Sequence, residues 1–132
     1  MILVDSCVLL DLIDNDQVWK EWSAGQIIKR SIIEDLFLNP IVYAEISVRY
    51  GNEEDVDRIL VASGLGFMGI PRRAAFLAAK AYQQYRQLGG QRSSLLPDFF
   101  IGAHAEVLGA TILTRDTRRY ETYFPAVPLI AP

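Results

Sequence analysis

The chain has 132 residues, 51% of them hydrophobic, which is enough for one proper core and too little for two, so residues 1–132 are expected to form a single domain. The single cysteine, Cys7, excludes an intramolecular disulfide and leaves no CxxC pair for zinc, which points to a reducing, cytoplasmic setting. A net charge of −3 argues against a generally basic nucleic-acid coat, and no signal-peptide pattern or apolar run of membrane-spanning length is present, so no export and no membrane partner are expected.

Ile2–Val4 is a short apolar run ended by Asp5 and Ser6, after which Val8, Leu9, Leu12 and Ile13 recur at helical spacing as far as Asn15; this pattern predicts a strand and then a helix. A second helix is expected from Gln17 to about Arg30. Leu36–Leu38 is a second strand, followed by Asn39 as an N-cap and Pro40 in the first turn of a helix that runs to about Arg49. Asn52 opens another helix, where Glu53, Glu54 and Asp55 suit the positive end of the dipole, and Gly64 closes it. Leu65 to Ile70 is expected to be a short strand. Ala74, Leu77, Ala78, Ala81, Tyr82, Tyr85 and Leu88 make one apolar stripe on a long helix stopped by Gly89 and Gly90, with a loop over Gln91 to Leu96. Pro97 to Leu108 is a helix ended by Gly109, Ala110 to Thr114 a strand, Thr117 to Phe124 a short helix, and Val127 to Ile130 a last strand. Apolar strands alternating with helices predict a three-layer α/β/α sandwich around a central parallel sheet of about five strands.

In such a sheet the ligand site forms at the carboxyl ends of the strands. Asp5 follows the first strand, Thr114, Arg115 and Asp116 follow the fourth, Glu45 sits in the helix fed by the second, and Asp98 opens the helix after the Gly-Gly loop. Each acid alone has an ordinary structural reading, Asp5, Asp98 and Asp116 as helix caps and Glu45 as a solvated helix residue, and singly none is persuasive. As a set they repel one another unless a cation intervenes, and hard oxygen donors of this kind select Mg²⁺ or Mn²⁺, the usual equipment for phosphodiester chemistry. Charge is also unevenly distributed: residues 1–66 carry 5 Lys and Arg against 12 Asp and Glu (net −7), and residues 67–132 carry 8 against 4 (net +4). A polyanion is therefore steered toward the C-terminal half, where Arg92, Arg115, Arg118 and Arg119 are the candidate phosphate contacts.

The stretch from Ile2 through Asp5 to Ile13 resembles the opening of a PIN domain, and more closely of a VapC-type toxin from a bacterial toxin–antitoxin pair. Asn39–Glu45 is similar to the second motif of that family, Leu96–Ala105 with Asp98 to the third, and Leu113–Tyr120 with Tyr123, Phe124 and Pro125 to the fourth. The resemblance covers essentially the whole chain. It implies a metal-dependent endoribonuclease in which Asp5 and Asp98 anchor Mg²⁺, Asp116 completes or supports the site, and Glu45 assists in binding metal or positioning the attacking water. It further implies that Ser6 and Thr114 are hydroxyl supports, that a small VapB-like antitoxin is the inhibitory partner, and that the chain forms a homodimer.

The departure from the family pattern is Cys7, where Ser or Asn is more usual; with no base beside it, a catalytic thiol is not expected. His104, six residues beyond Asp98 and about 240° around a helix, is expected to be structural, and Asp11 faces either the site or solvent. Trp19 and Trp22 are expected to pack in the core, the sharper reading being a surface for the antitoxin or a second subunit. Other functions compete with this one. A catalytically idle PIN-like module binding RNA or protein would keep the same fold. A haloacid-dehalogenase-like phosphatase needs an aspartate at position 7, a receiver domain needs an aspartate ending the third strand, and a nucleotide-binding fold needs a glycine-rich loop after the first strand; none of these is present.

Overall fold

The structure, a computed structural model, describes residues 1–91 and 96–132. The expected loop over Gln91 to Leu96 and the candidate phosphate contact Arg92 thus fall largely outside the described residues.

Five strands form one wholly parallel sheet in the order β3-β2-β1-β4-β5. They are β1 (Ile2–Val4), β2 (Leu36–Leu38), β3 (Gly66–Phe67), β4 (Thr111–Leu113) and β5 (Leu129–Ile130). β1 is central, with Ile2 paired to Leu36 on one side and to Thr111 on the other. Its three side chains are completely buried, as a parallel strand covered on both faces requires. The helices are α1 (Ser6–Ile13), α2 (Lys20–Ser31), α3 (Pro40–Ser47), α4 (Glu53–Ser63), α5 (Arg72–Gln87), α6 (Leu96–Leu108) and α7 (Arg118–Tyr123). The chain winds outward from β1 to β3, then crosses back to β4 and β5. With right-handed crossovers that reversal puts α1–α4 on one face and α5–α7 on the other, and α1 accordingly packs on α2 and α3 while α6 packs on α5 and α7. The reversal also makes the gap between β1 and β4 the switch point, where a crevice opens beyond the strand ends.

The expected helix ends follow the local chemistry. Asn39 accepts from the Val42 N–H at 3.0 Å and Asn52 from the Asp55 N–H at 3.0 Å. Gly64 and Gly109 end their helices with φ of +66°, a conformation that a Cβ would strain. Four expectations need correction. α2 begins at Lys20 rather than Gln17, because the Asp16 carboxylate accepts from the Val18 and Trp19 N–H groups and folds that stretch into a turn. β3 is only two residues long, lying at the sheet edge with both residues exposed. β5 begins at Leu129, since Pro128 has no N–H to give to the ladder and contributes only its carbonyl, which accepts from Ile112. Leu88 falls beyond the end of α5 and is exposed, while Ala74, Ala78 and Ala81 are the buried residues of the stripe. Among the described residues no helix is long and apolar enough to cross a membrane.

Candidate active site

Asp5 stands where β1 ends and is the N-cap of α1, its Oδ1 accepting from the Ser6 N–H at 2.7 Å. Its other oxygen, Oδ2, accepts from the Thr114 hydroxyl at 2.8 Å and from the Tyr120 hydroxyl at 2.9 Å. Three donors from three parts of the chain therefore fix a buried carboxylate at the switch point. Desolvation nevertheless raises its pKa, and Asp116 adds to the rise. Thr114, fully buried after β4, donates to Asp5, accepts from the Asp116 N–H at 3.0 Å, and meets the Cys7 sulfur at 3.6 Å. The Cys7 sulfur also accepts from the Arg115 N–H at 3.4 Å. Burial pushes this thiol up to about 11, so it is not an available nucleophile at neutral pH.

Glu45 in α3 and Asp98 in the first turn of α6 both lie near enough to feel the charge of Asp5. Burial raises Glu45 to about 7, and the charges of Asp5 and Asp98 push in the same direction against the Ser6 hydroxyl. Burial likewise raises Asp98 to about 6, helped by Asp5 and Asp116 and opposed by Arg119. The Ser6 hydroxyl donates to Asp5 Oδ1 at 3.5 Å and also lowers the pKa of Glu45. Among the described residues Glu45 Oε1 is buried without a hydrogen-bond partner. Asp116 differs from the other three: it is exposed, both its oxygens take the Arg118 guanidinium at 3.1 Å, and its pKa is lowered by that contact.

A PIN domain family model matches residues 2–125 of the chain. The chain belongs to the PIN domain family. No sequence among the curated proteins matches it. Solved structures resemble this PIN domain at low identity, which speaks to the fold. A VapBC2 structure from Rickettsia felis bound to a promoter DNA fragment is 17% identical over 100% of this chain and 99% of that one, with a TM-score of 0.75. VapBC-1 from nontypeable Haemophilus influenzae is 18% identical over 99% and 98%, with a TM-score of 0.72. A toxin–antitoxin complex from Klebsiella pneumoniae is 20% identical over 96% and 95%, with a TM-score of 0.67.

Two contacts in this PIN domain were not expected from its sequence. Tyr120 is a motif residue in the sequence, but its hydroxyl reaches Asp5 only through the fold, across 115 residues. Asp11, left open between site and solvent, is buried and accepts from the Ser23 hydroxyl at 2.6 Å and from Arg115 Nε and Nη2 at 2.7 and 2.8 Å. Arg115, one of the expected phosphate contacts, is thus paired with Asp11, its guanidinium lying 5.2 Å from the Trp19 ring centroid. Trp19 is the platform for that pair and stands edge-on to Trp22 at 6.2 Å, and of the two tryptophans it is Trp22 that packs against the core. His104 is fully buried, with Nδ1 3.3 Å from Asn39 Nδ2 and its ring edge-on to Phe37. It ties α6 to the cap of α3, which is a structural use.

Among the described residues no group of three Asp, Glu, His or Cys side chains is placed to hold a metal ion. Mg²⁺ does not demand one, since it keeps several waters and takes one or two carboxylates. Hard oxygens whose proton affinity is raised by burial and then by the charge of Asp5, together with the unpartnered Glu45 oxygen, fit such an ion. Their strain has a measurable consequence. A carboxyl whose folded pKa lies above its unfolded value stabilises the fold below the unfolded pKa, and that contribution is lost as pH rises through the folded one. With ordinary values of 4.5 and 3.8 and folded values of about 7 and 6, Glu45 and Asp98 are expected to make the protein in EDTA less heat-stable as pH rises from about 4 to about 7. Thermal melts across that range check the sign; a melting temperature that climbs steadily through it would show that the two carboxyls are not strained.

Proposed function

We propose that this PIN domain is a metal-dependent endoribonuclease of the VapC type, the toxin of a toxin–antitoxin pair. The observation that carries the reading is the burial of Asp5, Glu45 and Asp98 at the switch point of the sheet, which raises the pKa of each, with the charge of Asp5 adding to the rise of the other two. Asp5 and Asp98 are the residues that would hold Mg²⁺ or Mn²⁺, with Glu45 and Asp116 assisting; a bound ion of this kind supplies charge neutralisation at the phosphoryl oxygen and a water of lowered pKa. Ser6, Thr114 and Tyr120 keep the Asp5 carboxylate oriented through the hydrogen bonds described above, which oppose the rise that burial imposes on its pKa. Glu45, held near neutrality and with Oε1 unpartnered, accepts the proton of the attacking water at that oxygen. The water oxygen bonds to phosphorus in line with the departing 3′ oxygen, which takes up a proton, leaving 5′-phosphate and 3′-hydroxyl ends.

The partner in this reading is a VapB-like antitoxin, and the active form is a homodimer. The structures from Rickettsia felis, Haemophilus influenzae and Klebsiella pneumoniae support a partner of that kind, and the exposed Ile28, Ile32 and Ile33 on and after α2 offer it apolar surface.

The test uses purified protein and single-stranded RNA, with Mg²⁺ or Mn²⁺ and with EDTA, beside Asp98→Asn. Cleavage is expected with either ion and not with EDTA. Asp98→Asn should reduce it at least about 100-fold, the size of a few kcal/mol of lost charge stabilisation. Equal cleavage by the variant removes the proposed site, and metal-independent cleavage removes the mechanism. A folded wild type inactive on several RNAs is instead a binding module.

A further inference from the structure

The arginines that follow β4 differ in what their charge is used for. Arg115 is taken by Asp11, and Arg118 by Asp116. Arg119 forms no ion pair among the described residues; its guanidinium carbon lies 5.3 Å from the centroid of the Tyr85 ring, and its Nε is buried without a partner. It nevertheless stands close enough to Asp98 and Asp116 to lower the pKa of both. Tyr85 is itself a fixed surface. Its ring packs at 5.6 Å from Phe99 and 6.1 Å from Tyr123, and a Cβ added to Gly90 would lie 2.4 Å from it, so only glycine lets the chain pass there. The two Nη groups are not buried with it and donate to nothing among the described residues, and N–H donors of a guanidinium suit the oxygens of a phosphodiester.

We propose that Arg119, braced on Tyr85, grips a phosphate of single-stranded RNA beside the scissile bond, with Tyr85 as its positioning residue. The inference rests on the nuclease reading and identifies where that site holds its substrate. A bland alternative exists in which Arg119 is only a counter-charge for Asp98 and Asp116. That role would leave the number of phosphates neutralised on binding unchanged.

Binding is read by fluorescence anisotropy of a labelled single-stranded RNA in Mg²⁺, in an Asp98→Asn background that does not cut it, over a salt series. Cleavage is read separately with Asp98 intact. Arg119→Ala is expected to weaken binding about 10-fold and to lower the salt slope by about 0.7, the loss of one phosphate contact on a single strand. In cleavage KM should rise with kcat nearly unchanged. Arg119→Lys keeps the charge without the fork and should retain the slope while losing part of the affinity. Tyr85→Leu should weaken binding about threefold, and Tyr85→Phe, which keeps the ring and serves as the folding control, should restore it. Arg118→Ala should have the smaller effect, because Asp116 already uses that charge.

An unchanged affinity and slope in Arg119→Ala, or an equal loss in Arg118→Ala, overturns the proposal while wild-type cleavage leaves the nuclease reading standing. A wild type that does not cleave, beside an Asp98→Asn protein that does not bind, fails both.

Discussion

Asp5→Asn is expected to give a folded protein with RNA cleavage reduced about 1,000-fold or more. The side chain keeps its shape, and its one remaining acceptor oxygen can still receive the Thr114 and Tyr120 hydroxyls at 2.8 and 2.9 Å. Its new N–H₂ group then faces the Ser6 N–H, donor against donor, where Oδ1 now accepts at 2.7 Å. More important, the charge around which the site is built is gone, and several kcal/mol of electrostatic stabilisation correspond to roughly three powers of ten in rate. The same change relieves Glu45 and Asp98, both of which Asp5 pushes upward, so in EDTA at neutral pH the variant should melt no lower than wild type. Tyr120→Phe isolates the support: it leaves all four carboxylates in place and should cost about 10- to 100-fold in metal affinity or activity. Calorimetric Mg²⁺ titration and steady-state cleavage check both variants, and an active Asp5→Asn would end the proposed mechanism.

Asp11→Ala is expected to cost about 3 kcal/mol of stability, the largest loss predicted here for one side chain outside the core. Asp11 is 3% exposed and accepts three charge-assisted or hydroxyl hydrogen bonds, whereas the Arg115 side chain is 27% exposed. Removing the carboxylate leaves the Ser23 hydroxyl without its partner and a half-buried guanidinium over Trp19. The estimate sits at the low end for a broken buried pair because Arg115 can swing toward solvent. Urea unfolding reads the loss directly, and the melting temperature should fall by roughly 10 °C. The double variant Asp11→Ala/Arg115→Ala should lose less than the two single losses added, since both remove the same contact. A loss below about 1 kcal/mol would place the pair with exposed salt bridges.

Much of the fold was legible in the chain because its signals are short-range. An amide finds a cap three residues away, as Val42 finds Asn39 and Asp55 finds Asn52, and apolar spacing records which face of each helix is buried. The expectation of a parallel sheet rested on the same kind of signal: uninterrupted apolar triplets such as Ile2–Val4 between helices. Where the reading slipped, at the start of α2 and the lengths of β3 and β5, a side-chain turn, an edge position and a proline set boundaries that periodicity does not report. The four acids could be placed after strands and at helix starts; in the structure Glu45 and Asp98 are half-buried and near enough to feel the charge of Asp5, with Asp116 more exposed and paired to Arg118.

By itself, then, the sequence determined the alternation of strands and helices, the caps that end them and the ends of the elements on which the acidic residues lie. Only the tertiary structure decided the strand order β3-β2-β1-β4-β5, and with it the switch point between β1 and β4. It also decided that Arg115 serves Asp11 across 104 residues, that Tyr120 serves Asp5 across 115, and that Arg119 rests on an aromatic ring instead of a carboxylate. The physical reason is one of range. Caps and periodicity act within a few residues, whereas the choice of partner for a buried charge is made by whichever distant segment the packed sheet and helices bring within 3 Å of it.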